Sequence, residues 1–114
     1  MPYLKIQTNQ SPDDTQQQAL LKKASALVAE QLGKPENYVM IALETGQTML
    51  FAGSSGPLAY LELKSIGLPA TATADLSNHL CTLIAQELDI EKNRIYIEFA
   101  DAPRHMWGWD GKTF

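Results

Sequence analysis

Apolar residues recur in two matching stretches of the chain. Leu20, Ala24, Leu27, Val28 and Leu32 are spaced i, i+4, i+7, i+8, i+12, the stripe that one face of a helix presents to a core. The same spacing returns 56 residues later as Leu76, Leu80, Leu83, Ile84 and Leu88. The residue order repeats too: Leu27-Val28-Ala29-Glu30-Gln31-Leu32 matches Leu83-Ile84-Ala85-Gln86-Glu87-Leu88. Downstream, Asn37-Tyr38-Val39-Met40-Ile41 aligns with Asn93-Arg94-Ile95-Tyr96-Ile97. Upstream, Pro2-Tyr3-Leu4-Lys5-Ile6 resembles Pro57-Leu58-Ala59-Tyr60-Leu61, one residue out of register. Each half, about 2–50 and 57–105, therefore reads strand, helix, strand.

Local signals set the expected boundaries. Ser11-Pro12-Asp13-Asp14 offers a cap, a proline in the first turn and acid at the positive helix end. The first helix is expected from about Pro12 to Leu32, stopping at Gly33 with Pro35 preventing continuation, and the second from roughly Ala72 to Leu88. Strands are expected at 2–7, 38–45, 58–64 and 94–100, with Glu44-Thr45-Gly46-Gln47 turning into a short extra strand near 48–51. A helix joining two strands makes them parallel. The expected fold is thus an α+β domain over residues 1–114: two βαβ units forming a four-stranded mixed sheet, with both helices on one face. Apolar residues of both parities in Val39-Met40-Ile41-Ala42-Leu43 suggest that the other sheet face is covered as well. In a chain this small, a second covered face most simply means self-association.

Composition narrows the class. With 114 residues and 45% apolar content the chain suffices for one core. A net charge of −4 and a pI near 5.0 leave no basic stripe for nucleic acid. No apolar stretch approaches the ~20 residues that span a bilayer, and no basic start followed by an apolar run marks a signal peptide. The expected location is cytoplasmic. Cys81 is the only cysteine, so internal disulfide and Cys-x-x-Cys chemistry are excluded. It falls on the apolar side of the second helix and reads as a core residue. His79 and His105 have no partner at ligand spacing and read as solvated or capping residues. Arg104 lies in the loop Ala102-Pro103-Arg104-His105 and reads as a surface arginine, with anion binding as its alternative.

Candidate chemistry lies at the very start, Met1-Pro2. Removal of Met1 would leave Pro2 with a free secondary amine. An α-amino group titrates around ~7.7–8.0 before its surroundings act. Burial and a nearby cation both lower that value, because both disfavour the protonated form. A neutral amine fixed at a sheet edge is a general base. Met-Pro alone is a common chain start and carries little weight.

Pro2 and the repeat gain weight beside other segments: Thr8-Asn9, Gly33-Lys34-Pro35, Gly53-Ser54-Ser55, Ser65-Ile66-Gly67, Arg94-Ile95-Tyr96-Ile97, and the closing Gly108-Trp109 and Thr113-Phe114. In this order and spacing the whole chain resembles the tautomerase superfamily, in its macrophage migration inhibitory factor and dopachrome tautomerase branch. The resemblance implies a homotrimer with an active site at each subunit interface. It also implies interconversion of keto and enol forms of arylpyruvates such as phenylpyruvate, without metal or organic cofactor. Carried over by position, Pro2 is the base and Lys34 pairs with the substrate carboxylate. The backbone at Ile66 helps hold that carboxylate. Tyr96 reaches in from the adjacent subunit, and Tyr3, Trp109 and Phe114 form or border an aromatic wall suited to an aryl ring.

Two positions and one segment depart from the family pattern. Glu98 stands where an asparagine is usual, and an ionised carboxylate there would oppose Lys34 and an anionic substrate. Trp107 replaces a small aliphatic residue at the pocket rim and would narrow the entrance. Leu58-Ala59-Tyr60-Leu61 replaces the founder's Cys-x-x-Cys, so a thiol-redox activity does not carry over. Two function classes follow. One is a cofactor-free tautomerase of phenylpyruvate-like acids; the other is a binding or signalling protein with a weak or vestigial pocket, its receptor undefined by the sequence. Pro2 and Lys34 together favour the first, because neither is needed for folding.

Overall fold

The computed structural model describes residues 1–114. Strand β1 (Tyr3–Thr8) leads into helix α1 (Asp14–Leu32), which returns the chain to β2 (Met40–Glu44). The second half repeats the plan with β3 (Ala59–Ile66), α2 (Thr73–Leu88) and β4 (Ile95–Ala102). A small hairpin of β5 (Gly108–Trp109) and β6 (Lys112–Thr113) closes the chain. Sheet order is β2-β1-β3-β4. Each βαβ unit pairs its strands in parallel, and the halves meet antiparallel along β1 and β3 with Leu4 opposite Leu63 and Ile6 opposite Leu61.

Those four residues lie in a core shared with Leu20, Ala24 and Val28 of α1 and Leu76, Leu80 and Ile84 of α2. Both helices therefore cover the same sheet face, and the repeated stripe supplies the apolar area whose burial drives folding. Cys81 packs against this core as a half-buried residue, and both histidines are exposed.

Asp13, not Ser11, caps α1: its carboxylate accepts from the Gln16 amide N–H at 2.8 Å, and Gln16 Oε1 accepts from the Asp13 N–H at 3.0 Å. This reciprocal box requires a partner three residues on, which places Pro12 before the helix. At the other end Gly33 takes φ 61°, and the next residue is Lys34. Thr8 and Asn9 are structural. The buried Thr8 hydroxyl donates to Leu58 O at 2.7 Å, and Asn9 bonds Ser55 O, Gly56 O and the Leu58 N–H, pinning the approach to β3.

Two expectations change. Residues 48–51 form no strand; they offer only an isolated bridge between Phe51 and Ser54. The uncovered sheet face is mixed rather than apolar. Ile41 and Leu43 oppose Leu4 and Ile6 and point to the core, so of the β2 residues only Met40, Ala42 and Glu44 turn to the open face. There they join Lys5, Gln7, Tyr60, Glu62, Lys64 and Glu98. The period of two separates the parities that a run of apolar letters leaves undivided.

Candidate functional site

The chain start is held as the first rung of the sheet. Pro2 is buried, and its carbonyl accepts from the Met40 N–H at 3.0 Å. Around it lies a cavity of ≈ 220 Å³ lined by Met1, Pro2 and Tyr3, the Asn37–Met40 segment, Trp107, Trp109 and Phe114. Five residues expected at the site, Pro2, Tyr3, Trp107, Trp109 and Phe114, thus meet in one cavity.

The aromatic wall is built by the terminal hairpin. Asp110 and Gly111 both take positive φ (54° and 74°) at the turn between β5 and β6, the geometry that an Asp-Gly pair favours. The hairpin brings Trp109 and Phe114 into a stack, with centroids 5.5 Å apart and planes 12° from parallel. Tyr38 then meets Trp109 edge-on at 5.7 Å and Phe114 at 6.3 Å. Neither Tyr38 nor the hairpin is among the expected features. Asp110-Gly111 was a usable hairpin signal, whereas nothing local distinguishes Tyr38 from a core tyrosine.

Lys34 approaches from the end of α1. Its ammonium donates to Ile66 O at 3.4 Å, and both residues line an adjoining cavity of ≈ 460 Å³ with Gly67, Asp101, Ala102, Pro103 and Arg104. Lys34 also links this cavity to the chain start. The amino group there lies below its ordinary value of 8.0, first through burial and then through the Lys34 charge. In this chain that group belongs to Met1; removing Met1 moves the amine one residue inward, onto the buried Pro2. A terminal nitrogen whose hold on its proton is weakened, a cation and an aromatic wall together form an arrangement able to hold an anionic aryl acid beside a base.

Tyr96 and Glu98 do not reach the Pro2 cavity of their own chain. Tyr96 is 65% exposed and packs on Phe51 at 4.6 Å, lining a second, mostly apolar cavity of ≈ 350 Å³ with Met49, Leu50, Ala52, Leu58, Ala59 and Tyr60. Glu98 lies on the open sheet face, where its carboxylate accepts from the Tyr60 hydroxyl at 3.0 Å; Glu62 is a second acceptor at 3.1 Å. Burial and these two carboxylates push the Tyr60 phenol up to about 12. No group of three or more His, Cys, Asp or Glu side chains is placed to hold a metal ion, and no helix is long and apolar enough to cross a membrane.

A family model described as macrophage migration inhibitory factor matches residues 1–114. The macrophage migration inhibitory factor homolog of Brugia malayi is 46% identical over 115 residues, covering all of this chain and 99% of that protein. The corresponding Wuchereria bancrofti homolog is 44% identical with the same coverage. Among solved structures, the macrophage migration inhibitory factor homologue from Prochlorococcus marinus superposes with a TM-score of 0.93 at 42% identity, covering 98% of each chain. That from Trichinella spiralis gives 0.90 at 35% identity, covering 98% of this chain and 99% of the other.

Proposed function

The chain belongs to the macrophage migration inhibitory factor family, and from that premise we propose that it is a cofactor-free keto–enol tautomerase of phenylpyruvate-like 2-oxo acids. The observation that carries this reading is the buried Pro2 at an aromatic cavity, with Lys34 acting on the adjoining amino group.

Once Met1 is removed, the neutral Pro2 nitrogen takes the proton from C3 of the substrate. The C–H electron pair moves into the C2–C3 bond and the carbonyl π pair onto oxygen. The prolinium then delivers its proton to that oxygen, completing the enol; ketonisation is the reverse. Lys34 pairs with the substrate carboxylate and, by the same charge, keeps the amine neutral. The Ile66 carbonyl orients the Lys34 ammonium, to which it is bonded at 3.4 Å. Tyr38, Trp109 and Phe114 receive the aryl ring, and Trp107 borders the mouth.

The working unit in this proposal is a homotrimer. The apolar cavity at Leu50, Phe51 and Tyr96 supports it, because Leu50 is 69% exposed and Tyr96 65% in the single chain. A neighbour seated there would bring Tyr96 to the site of the adjacent subunit. Glu98 would remain on the face that Tyr60 holds.

Steady-state turnover of phenylpyruvate by the processed protein and by Pro2→Gly tests the reading. Replacing the fixed secondary amine by the more flexible primary amine of glycine predicts a loss of about 100-fold or more with the fold intact; undiminished turnover in Pro2→Gly would place the base elsewhere. A folded, processed protein with no turnover at all would instead favour the binding or signalling reading.

A further inference from the structure

The cavity of ≈ 460 Å³ contains a second cationic side chain beyond Lys34, that of Arg104. The ion pairs of the molecule join Lys5 to Glu44, Lys23 to Glu87 and Lys64 to Glu62, leaving Arg104 without a carboxylate partner. The one acid lining the same cavity, Asp101, already accepts from the Leu68 N–H at 3.0 Å. Arg104 is also positioned by its backbone. It opens a single turn, Arg104–Met106, closed by Met106 N–H to Pro103 O at 3.0 Å and Trp107 N–H to Arg104 O at 3.2 Å. Phe114 N–H to Trp107 O, at 3.2 Å, ties that turn to the aromatic hairpin. The segment 103–107 therefore presents Trp107 to the Pro2 cavity and Arg104 to the Lys34 cavity.

We propose that Arg104 is a specificity-determining residue that receives a second anionic group, so that the site takes small 2-oxo dicarboxylates as well as arylpyruvates. One carboxylate pairs with Lys34, and the guanidinium fork matches the other in two parallel hydrogen bonds. A monoanionic 2-oxo acid leaves Arg104 unused. The turnover of a dicarboxylate rests on the tautomerase reading above, but its binding does not, because recognition by two cations requires no base.

Calorimetric titration with 2-oxoglutarate and with 2-oxopentanoate, which has the same carbon skeleton without the second carboxylate, isolates the effect. In the unaltered protein the dicarboxylate is expected to bind about tenfold more tightly, the gain of one charge-assisted contact. Arg104→Gln should remove that advantage while leaving the Kd of 2-oxopentanoate unchanged, and Arg104→Lys should restore part of it. Pro2→Gly should keep the preference intact, so a failed tautomerase reading leaves this outcome untouched. Equal affinities in the unaltered protein, an advantage that survives Arg104→Gln, or binding of neither acid would overturn the proposal.

Discussion

Lys34 has two effects separable by kinetics: it attracts a carboxylate and it lowers the affinity of the amine for protons. Lys34→Ala should raise KM for phenylpyruvate and cut kcat/KM by about tenfold, the scale of one charge-assisted bond. Burial first and then the cation hold the amine below its ordinary value, so removing the cation raises the pKa. The base is then protonated up to a higher pH, and the acidic limb of the kcat/KM profile should move upward. A fall in activity without movement of that limb would reduce Lys34 to a binding role. Tyr60 shifts in the opposite sense. Its phenol is raised from 10.0 to about 12 by burial and by Glu98 and Glu62, so the stability it contributes is present below pH 10 and lost as pH rises toward 12. Replacing Glu98 by Asn should bring this titration back toward 10, visible in the ultraviolet difference against a Tyr60→Phe reference. An unchanged titration would mean that Glu98 leaves Tyr60 in solution.

Among the elements, the helices were the most legible because both periodicity and stop signals are local. Gly33 at φ 61° shows how directly one letter can set a boundary. Gly33→Ala should cost about 1–2 kcal/mol, the penalty of a side chain in the left-handed region, measured as a lowered midpoint in urea. It should also raise KM, because Lys34 is the next residue. No loss of stability would mean that the helix end relaxes freely. The four strands of the main sheet were legible in position but not in facing, since β2 alternates between core and open face within an uninterrupted apolar run. The segment 48–51 has strand-like letters without a strand partner in its own chain. Of the residues lining the Pro2 cavity, the family resemblance pointed to Pro2, Tyr3, Trp107, Trp109 and Phe114. The aromatic wall around Tyr38 was not legible, because it depends on a hairpin and a 3-10 turn that meet only in three dimensions.

At the scale of the whole molecule, the sheet leaves β2 and β4 as edges and carries an apolar patch at Leu50 and Tyr96, features that unprotected monomers avoid. Sedimentation should give about three times the 12.6 kDa chain mass, and Leu50→Lys should yield a folded monomer with little turnover. An active monomer would mean that no site is shared between subunits. Blocking the freed Pro2 nitrogen alone asks whether that nitrogen is the base. Phenylpyruvate turnover should be compared between protein whose mass shows Met1 removed and protein carrying one additional alanine before Pro2. The extended chain should lose about 100-fold or more of the turnover, with trimer and melting temperature unchanged; equal turnover by the two proteins would mean that the Pro2 nitrogen is not the base.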